Sequence, residues 1–245
     1  MNASVVFVHG AWHTPECFDP VRLHLQKRGV ETAAVELPSC GPQLASIEAD
    51  VAAVRSKIAA LAEAGQDIVM VMHSYGGKVG SWAVRGLSKA DRSAAGKQGG
   101  IVHLLYLSSL MLPEDGRDFG VNAGTPKFGI NADGGMELTD PVPYLYHDLD
   151  PDQQAHWATK LRLWNAKTLG PAPEGAAYLG HLHVPGTYLV CENDQAIPAE
   201  LQRKYIEAAN QAGGQIKSVV CDSAHCPQLK YPELVVKLIL DEVQS

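Results

Sequence analysis

The sequence predicts an α/β fold: one domain over residues 1–245, built on a mostly parallel six-stranded sheet with helices on both faces and an inserted cap. Three observations carry that expectation. Short runs rich in valine and isoleucine alternate with segments of helical period. One of those segments has an unbroken apolar stripe. A single long stretch, residues 113–184, breaks the rhythm and is rich in Gly, Pro and Asp.

The strands are expected at residues 5–9, 31–36, 67–73, 101–108, 186–191 and 216–221, where β-branched residues dominate. The clearest helix lies between the second and third. Ile47, Val51, Val54, Ile58 and Leu61 recur at helical spacing, which leaves Glu48, Asp50, Arg55 and Lys57 outside the stripe. Residues 20–28, 75–87, 198–212 and 232–243 read as further helices. The stretch 113–184 holds no convincing strand and one helical candidate at 152–163. It concentrates aromatics: Phe119, Phe128, Tyr144, Tyr146, Trp157, Trp164 and Tyr178. A segment of that length carries structure of its own or serves as a lid.

Composition bounds the function. With 46% hydrophobic and 19% charged residues the chain is an ordinary globular one. No apolar run approaches the roughly 20 residues of a membrane span, and the first residues lack a signal-peptide pattern, so a cytoplasmic location without membrane attachment is expected. The five cysteines are scattered without metal-ligand spacing, as free thiols in a reducing compartment would be. A net charge of −7 and no Lys/Arg cluster argue against nucleic acid and leave a small molecule as the expected partner.

Chemistry is expected at the carboxyl ends of the strands. The third strand runs into His73-Ser74-Tyr75-Gly76-Gly77, the fifth into Glu192-Asn193-Asp194, the sixth into Asp222-Ser223-Ala224-His225. A serine hydroxyl needs a base beside it, usually a histidine oriented by a carboxylate. Ser74, His225 and Asp194 supply that set. Each alone has a plain reading as a turn serine, a turn aspartate before a helix, or an inert loop histidine. Their joint placement at three strand ends favours the triad. After the first strand, His9-Gly10-Ala11-Trp12 offers backbone N–H groups, so Ala11 and Tyr75 are the expected oxyanion donors.

"FVHGAWH", "VMHSYGG", "CENDQAIP" and "AHCPQLKYPE" together resemble the compact α/β-hydrolases that include plant methylesterases and hydroxynitrile lyases, and especially their microbial, chiefly fungal, relatives. The segment "DPVPYLYHDLDPDQQAHWATKL" resembles the microbial group too. The resemblance spans nearly the whole chain. It implies an α/β-hydrolase fold, Ser74, Asp194 and His225 as triad, Ala11 and Tyr75 as oxyanion donors, and neither metal nor organic cofactor. Trp12, His13, Tyr144, Trp157 and Trp164 are the expected substrate contacts. Met72 departs from the small residue usual two before the serine, and Gly76 and Gly77 are expected to supply the missing room. Gly10 and Cys226 stand where hydroxynitrile lyases place a threonine and a lysine, which disfavours cyanohydrin cleavage.

Other patterns fail. "MHSYGGKV" lacks the first glycine and the hydroxyl of a phosphate loop. His181 and His183 have no supporting ligands and read as a solvated loop. The expected activity is hydrolysis of a small ester or lactone with an apolar or aromatic body. The alternatives are the same fold turned to carbon–carbon hydrolysis, lyase or cyclisation chemistry in secondary metabolism, or a receptor that retains the triad.

Overall fold

The computed structural model describes residues 3–113, 128–170 and 178–243. Six strands form the main sheet: β1 (Ala3–Val8), β2 (Glu31–Val35), β3 (Asp67–His73), β4 (Gly100–Leu107), β8 (Gly186–Cys191) and β9 (Ile216–Cys221). Their order is β2-β1-β3-β4-β8-β9, and every pairing is parallel. The chain steps outward from β1 to β2, then returns to place β3 on the other side of β1. That reversal opens a crevice at the carboxyl ends of β1 and β3, where neighbouring connections leave in opposite directions.

The helices are α1 (Asp19–Gln26), α2 (Ile47–Glu63), α3 (Gly76–Ala83), α4 (Lys89–Ala94), α5 (Pro151–Lys160), α6 (Ala199–Gln211), α7 (Pro227–Lys230) and α8 (Pro232–Val243). Side-chain alternation along the strands splits the core in two. Val5, Phe7, Val71, Leu105 and Leu189 pack with Val21 and Leu25 of α1 and Val235 and Ile239 of α8. Val6, Val8, Met70, Tyr106 and Val190 pack with Val54 and Ile58 of α2, Val79 of α3 and Tyr205 of α6. Both faces are covered, which is why the inner strands read as continuous apolar runs.

Two expectations need correction. Asp50 does not lie outside the α2 stripe; it is fully buried, because two polar groups reach it from other elements. The excursion between β4 and β8 does contain strands. β5 (Phe128–Ile130), β6 (Gly135–Leu138) and β7 (Trp164–Asn165) form a small antiparallel sheet in that order. β5 is exposed throughout and β7 has only two residues, so neither shows the alternation by which a strand is recognised. Phe119 lies outside the described residues. Among those described, no helix is long and apolar enough to cross a membrane.

Candidate active site

The crevice is built from the ends of β1 and β3. Ser74 follows β3 with φ +53°, a left-handed conformation that a serine adopts only when its surroundings impose it. The constraint is steric. A Cβ on Gly76 would run into the Val8 carbonyl and stand 2.7 Å from that of His9, so the start of α3 presses directly on the end of β1. A side chain on Gly77 would collide with the Ser109 hydroxyl. The room for Met72 comes from another position. Its Sδ fills the space where Gly80 lacks a Cβ, with Cγ 3.0 Å from that point. One turn of α3 further on than expected, a third glycine makes the bulky residue tolerable.

The loop after β1 lies against the serine. A Cβ on Gly10 would be 2.8 Å from Ser74 Cβ, so this backbone can pass only without a side chain. Trp12 in the same loop is also left-handed, with φ +61°. Among the described residues, the backbone N–H groups of Ala11 and Tyr75 donate to no acceptor. The Tyr75 hydroxyl points the other way and donates to Asp50 Oδ2 at 2.7 Å, while Ser39 N–H donates to Asp50 Oδ1 at 2.8 Å. Burial raises the Asp50 carboxyl above the usual range, and the two donors counter part of that shift.

Asp194 sits in the loop after β8 with its side chain fully buried. Its Oδ1 accepts the N–H groups of Ala196 at 2.7 Å and Ile197 at 2.9 Å. Its Oδ2 accepts His225 Nδ1–H at 2.9 Å, Gln202 Nε2–H at 3.1 Å and the Ser108 hydroxyl. Glu192, the nearest other acid in this loop, faces solvent and pairs with Arg203. The loop carrying His225 is tied down from the excursion: Asp148 Oδ2 accepts Ala224 N–H at 2.7 Å and the Ser223 hydroxyl at 3.2 Å. Ser74 and His225 line one cavity without a hydrogen bond between their side chains.

Three further histidines surround the centre, all uncharged. Leu37 N–H donates to His9 Nε2 at 3.1 Å, so its Nδ1 carries the proton and donates to Gly10 O at 2.9 Å. His13 Nδ1–H donates to Ala11 O and the Tyr146 hydroxyl donates to Nε2, both at 2.8 Å. Burial pushes His9 down to about 4 and His13 to about 3. His73 Nε2–H donates to the His225 carbonyl at 2.9 Å, and burial holds this ring well below the usual range. Burial pushes the Cys226 thiol well up, so it stays protonated beside His225.

The cavity encloses about 650 Å³, its mouth included. Trp12, His13, Tyr144 and Trp164 line it, as do Ala11 and Tyr75. Trp12 and Trp164 meet edge to face with centroids 5.0 Å apart. Among the described residues no Lys, Arg, Asp or Glu lines the space. Trp157 is not brought to it. That ring lies on α5, a helix with no buried residue, and packs beside His156 with centroids 5.1 Å apart. His181 departs from the solvated loop expected of it; it is buried, which pushes it down to about 4, while His183 is exposed and stacks on Tyr178. Lys78, part of the rejected phosphate-loop pattern, is also buried. It donates to the carbonyls of Thr168 at 2.9 Å and Gly170 at 2.7 Å, on either side of the cavity residue Leu169. Among the described residues no group of three or more His, Cys, Asp or Glu side chains is placed to hold a metal ion.

Sequence reasoning missed Ser108, Gln202, Asp50 and Asp148. Only Ser108 carried a usable signal, since the strand-end rule applied to β4 points to Ser108-Ser109.

A family model described as the alpha/beta hydrolase family matches residues 5–238. The "Alpha/beta hydrolase nvfD" of Aspergillus novofumigatus is 32% identical over 247 residues, covering 98% of this chain and 96% of that one. Among solved structures, polyneuridine aldehyde esterase superposes with a TM-score of 0.75 at 17% identity, over 98% of this chain and 99% of that chain. A pyrethroid hydrolase from Sphingobium faniae also gives 0.75, at 19% identity over 99% and 98%.

Proposed function

The chain belongs to the alpha/beta hydrolase family, and on that premise we propose that it is a serine hydrolase cleaving a small, neutral ester or lactone. One observation carries the reading. Ser74 is held left-handed at the strand-to-helix corner, and it shares a cavity with His225, whose ring donates to the buried carboxylate of Asp194. In this mechanism His225 Nε2 takes the Ser74 proton as Oγ attacks the substrate carbonyl. Asp194 keeps the proton of the neutral imidazole on Nδ1 and stabilises the imidazolium that forms. The N–H groups of Ala11 and Tyr75 donate to the developing oxyanion, each such donor being worth roughly 10²–10³ in rate. His225 returns its proton to the leaving oxygen, and water then releases the acyl group by the same steps in reverse order of roles.

The substrate class follows from the walls. An aromatic cavity without a charged side chain favours an apolar or planar body and penalises an ionised one, which would lose its hydration without gaining a partner. Intact-mass measurement after a serine-directed fluorophosphonate tests the nucleophile, with one adduct expected on the wild type and none on Ser74→Ala. A panel of esters and lactones, each paired with a carboxylate-bearing analogue, tests the class. Labelling at another serine overturns the nucleophile, and preferential turnover of the charged analogues overturns the substrate reading.

A further inference from the structure

Ser108 closes β4 as Ser74 closes β3, and it too is left-handed, with φ +45°. Its side chain is fully buried against the acid. The hydroxyl donates to Asp194 Oδ2, the same oxygen that accepts His225 Nδ1–H. Its Oγ lies 3.3 Å from His225 Nδ1 and accepts from Gln202 Nε2 at 3.3 Å. Gln202 is itself held by Cys191, whose N–H donates to Oε1 at 3.0 Å. The next residue binds the elbow, for Ser109 Oγ donates to the Ser74 carbonyl at 2.9 Å and Leu110 N–H donates to it at 2.9 Å. A three-residue strap, Ser108 to Leu110, therefore joins the carboxylate to the turn that carries the nucleophile.

We infer that Ser108 is a positioning residue for the hydrolytic reaction, setting the orientation and the effective charge of Asp194 toward His225. The inference rests on the hydrolase reading above. A hydrogen bond to an ionised carboxylate stabilises that charge and draws density away from the oxygen facing the imidazole. Without the hydroxyl, the full charge of Oδ2 acts on His225 and the imidazolium is favoured. The base then becomes available only at higher pH, and the carboxylate is free to rotate away from Nδ1–H. Among the described residues, the titratable side chains packed on the His225 ring and on the Asp194 carboxylate supply no competing charge across neutral pH. His73 and His13 face the His225 ring uncharged, and burial keeps the thiols of Cys226 and Cys191 protonated. The Asp148 carboxylate is taken up by Ala224 N–H and the Ser223 hydroxyl, and the Lys230 ammonium donates to its carbonyl.

Two variants separate the hydroxyl from the backbone. Ser108→Ala removes the donor and keeps the strained φ, whereas Ser108→Gly removes the donor and relieves the strain. With p-nitrophenyl acetate as probe, kcat should fall roughly tenfold to a hundredfold in both, the scale of one charge-assisted hydrogen bond. KM should stay within about twofold, and the acid limb of kcat/KM should move upward in pH. Ser108→Gly should melt at or above the wild-type temperature, which a merely structural serine would not permit. An unmoved limb in both variants overturns the inference, whatever happens to kcat. NMR titration of ¹⁵N-histidine-labelled protein, with His225 assigned through His225→Gln, provides the same measurement without turnover. If the wild type neither labels at Ser74 nor hydrolyses the probe, the hydrolase reading fails. The titration still decides the role of Ser108, since an upward shift of His225 supports it and an unchanged one overturns it.

Discussion

The ends of β3 and β4 are near copies in backbone and opposites in wiring. Each places a serine one residue past the strand, in the left-handed region, with its N–H donating to the last stretch of the next strand: Ser74 to Leu107 O at 3.3 Å and Ser108 to Leu189 O at 3.2 Å. Each conformation costs about 1–3 kcal/mol, so neither is accidental. Ser74 is half-buried, and its hydroxyl enters a cavity without a hydrogen bond to His225; Ser108 is fully enclosed and its hydroxyl is committed to Asp194. Strain alone does not make a nucleophile. On the proposed reading an open side beside His225 makes the nucleophile, and the same strain on an enclosed side makes a support for Asp194.

The comparison breaks most decisively at Ser74. Ser74→Ala should fold as the wild type does and lose esterase activity by several orders of magnitude, leaving the residual contribution of the oxyanion donors. Equal losses from Ser74→Ala and Ser108→Ala in a steady-state assay would erase the distinction. Asp194→Asn comes next, because the amide presents the wrong hydrogen-bonding pattern to Nδ1; a loss of roughly four orders is expected from triads of this kind. Glu192→Gln, paired only with exposed Arg203, should change kcat by less than about twofold, and the reverse ranking would move the acid.

A third test concerns the imidazoles buried in the fold, around the two serines and away from them. His9, His103 and His181 are pushed down to about 4, His13 to about 3, and His73 well below its ordinary value, all chiefly by burial. Between the unfolded value near 6.5 and those folded values the unfolded chain binds more protons, so stability rises with pH there. The fold should accordingly keep its full stability above pH ~6.5 and lose it toward pH ~4, at about 1.4 kcal/mol per pH unit for each such ring. Melting temperatures across that range check it, and a flat profile would mean the rings are not buried neutral. A packing effect confined to stability is expected at Gly80→Ala, where overpacking against Met72 should cost about 1–3 kcal/mol. Adding Met72→Ala should recover part of that loss in a denaturant titration, and no recovery would show that Met72 is not what Gly80 makes room for.

Sheet and elbow were legible for the same physical reason. A strand buried on both faces must be apolar throughout, and a polar residue just past its end has little to do except turn or react. That logic finds Ser74, Asp194 and His225. It reached β4 only as a strand, because Ser108-Ser109 looks like an ordinary polar stop until Asp194 is folded against it. Asp50 was illegible because helical periodicity sorts by polarity, and its carboxylate is drawn inward by Tyr75 and Ser39. Gln202 is one more polar residue on α6, with nothing local to mark it. The excursion was read least well: its aromatics were visible, but only the three-dimensional path separates Trp164, which lines the cavity, from Trp157, which does not.

Asp148 carries a consequence for anyone exchanging parts between hydrolases. It belongs to the excursion, yet its carboxylate holds Ala224 N–H and Ser223, and its carbonyl takes the Lys230 ammonium. A grafted excursion without an acid at this position would bring a new mouth and leave Ala224 N–H and the Ser223 hydroxyl without their acceptor, one residue away from His225. Exchanging the mouth of this scaffold therefore means keeping Asp148 matched to Ser223, as one unit of inheritance spread over two distant stretches of chain.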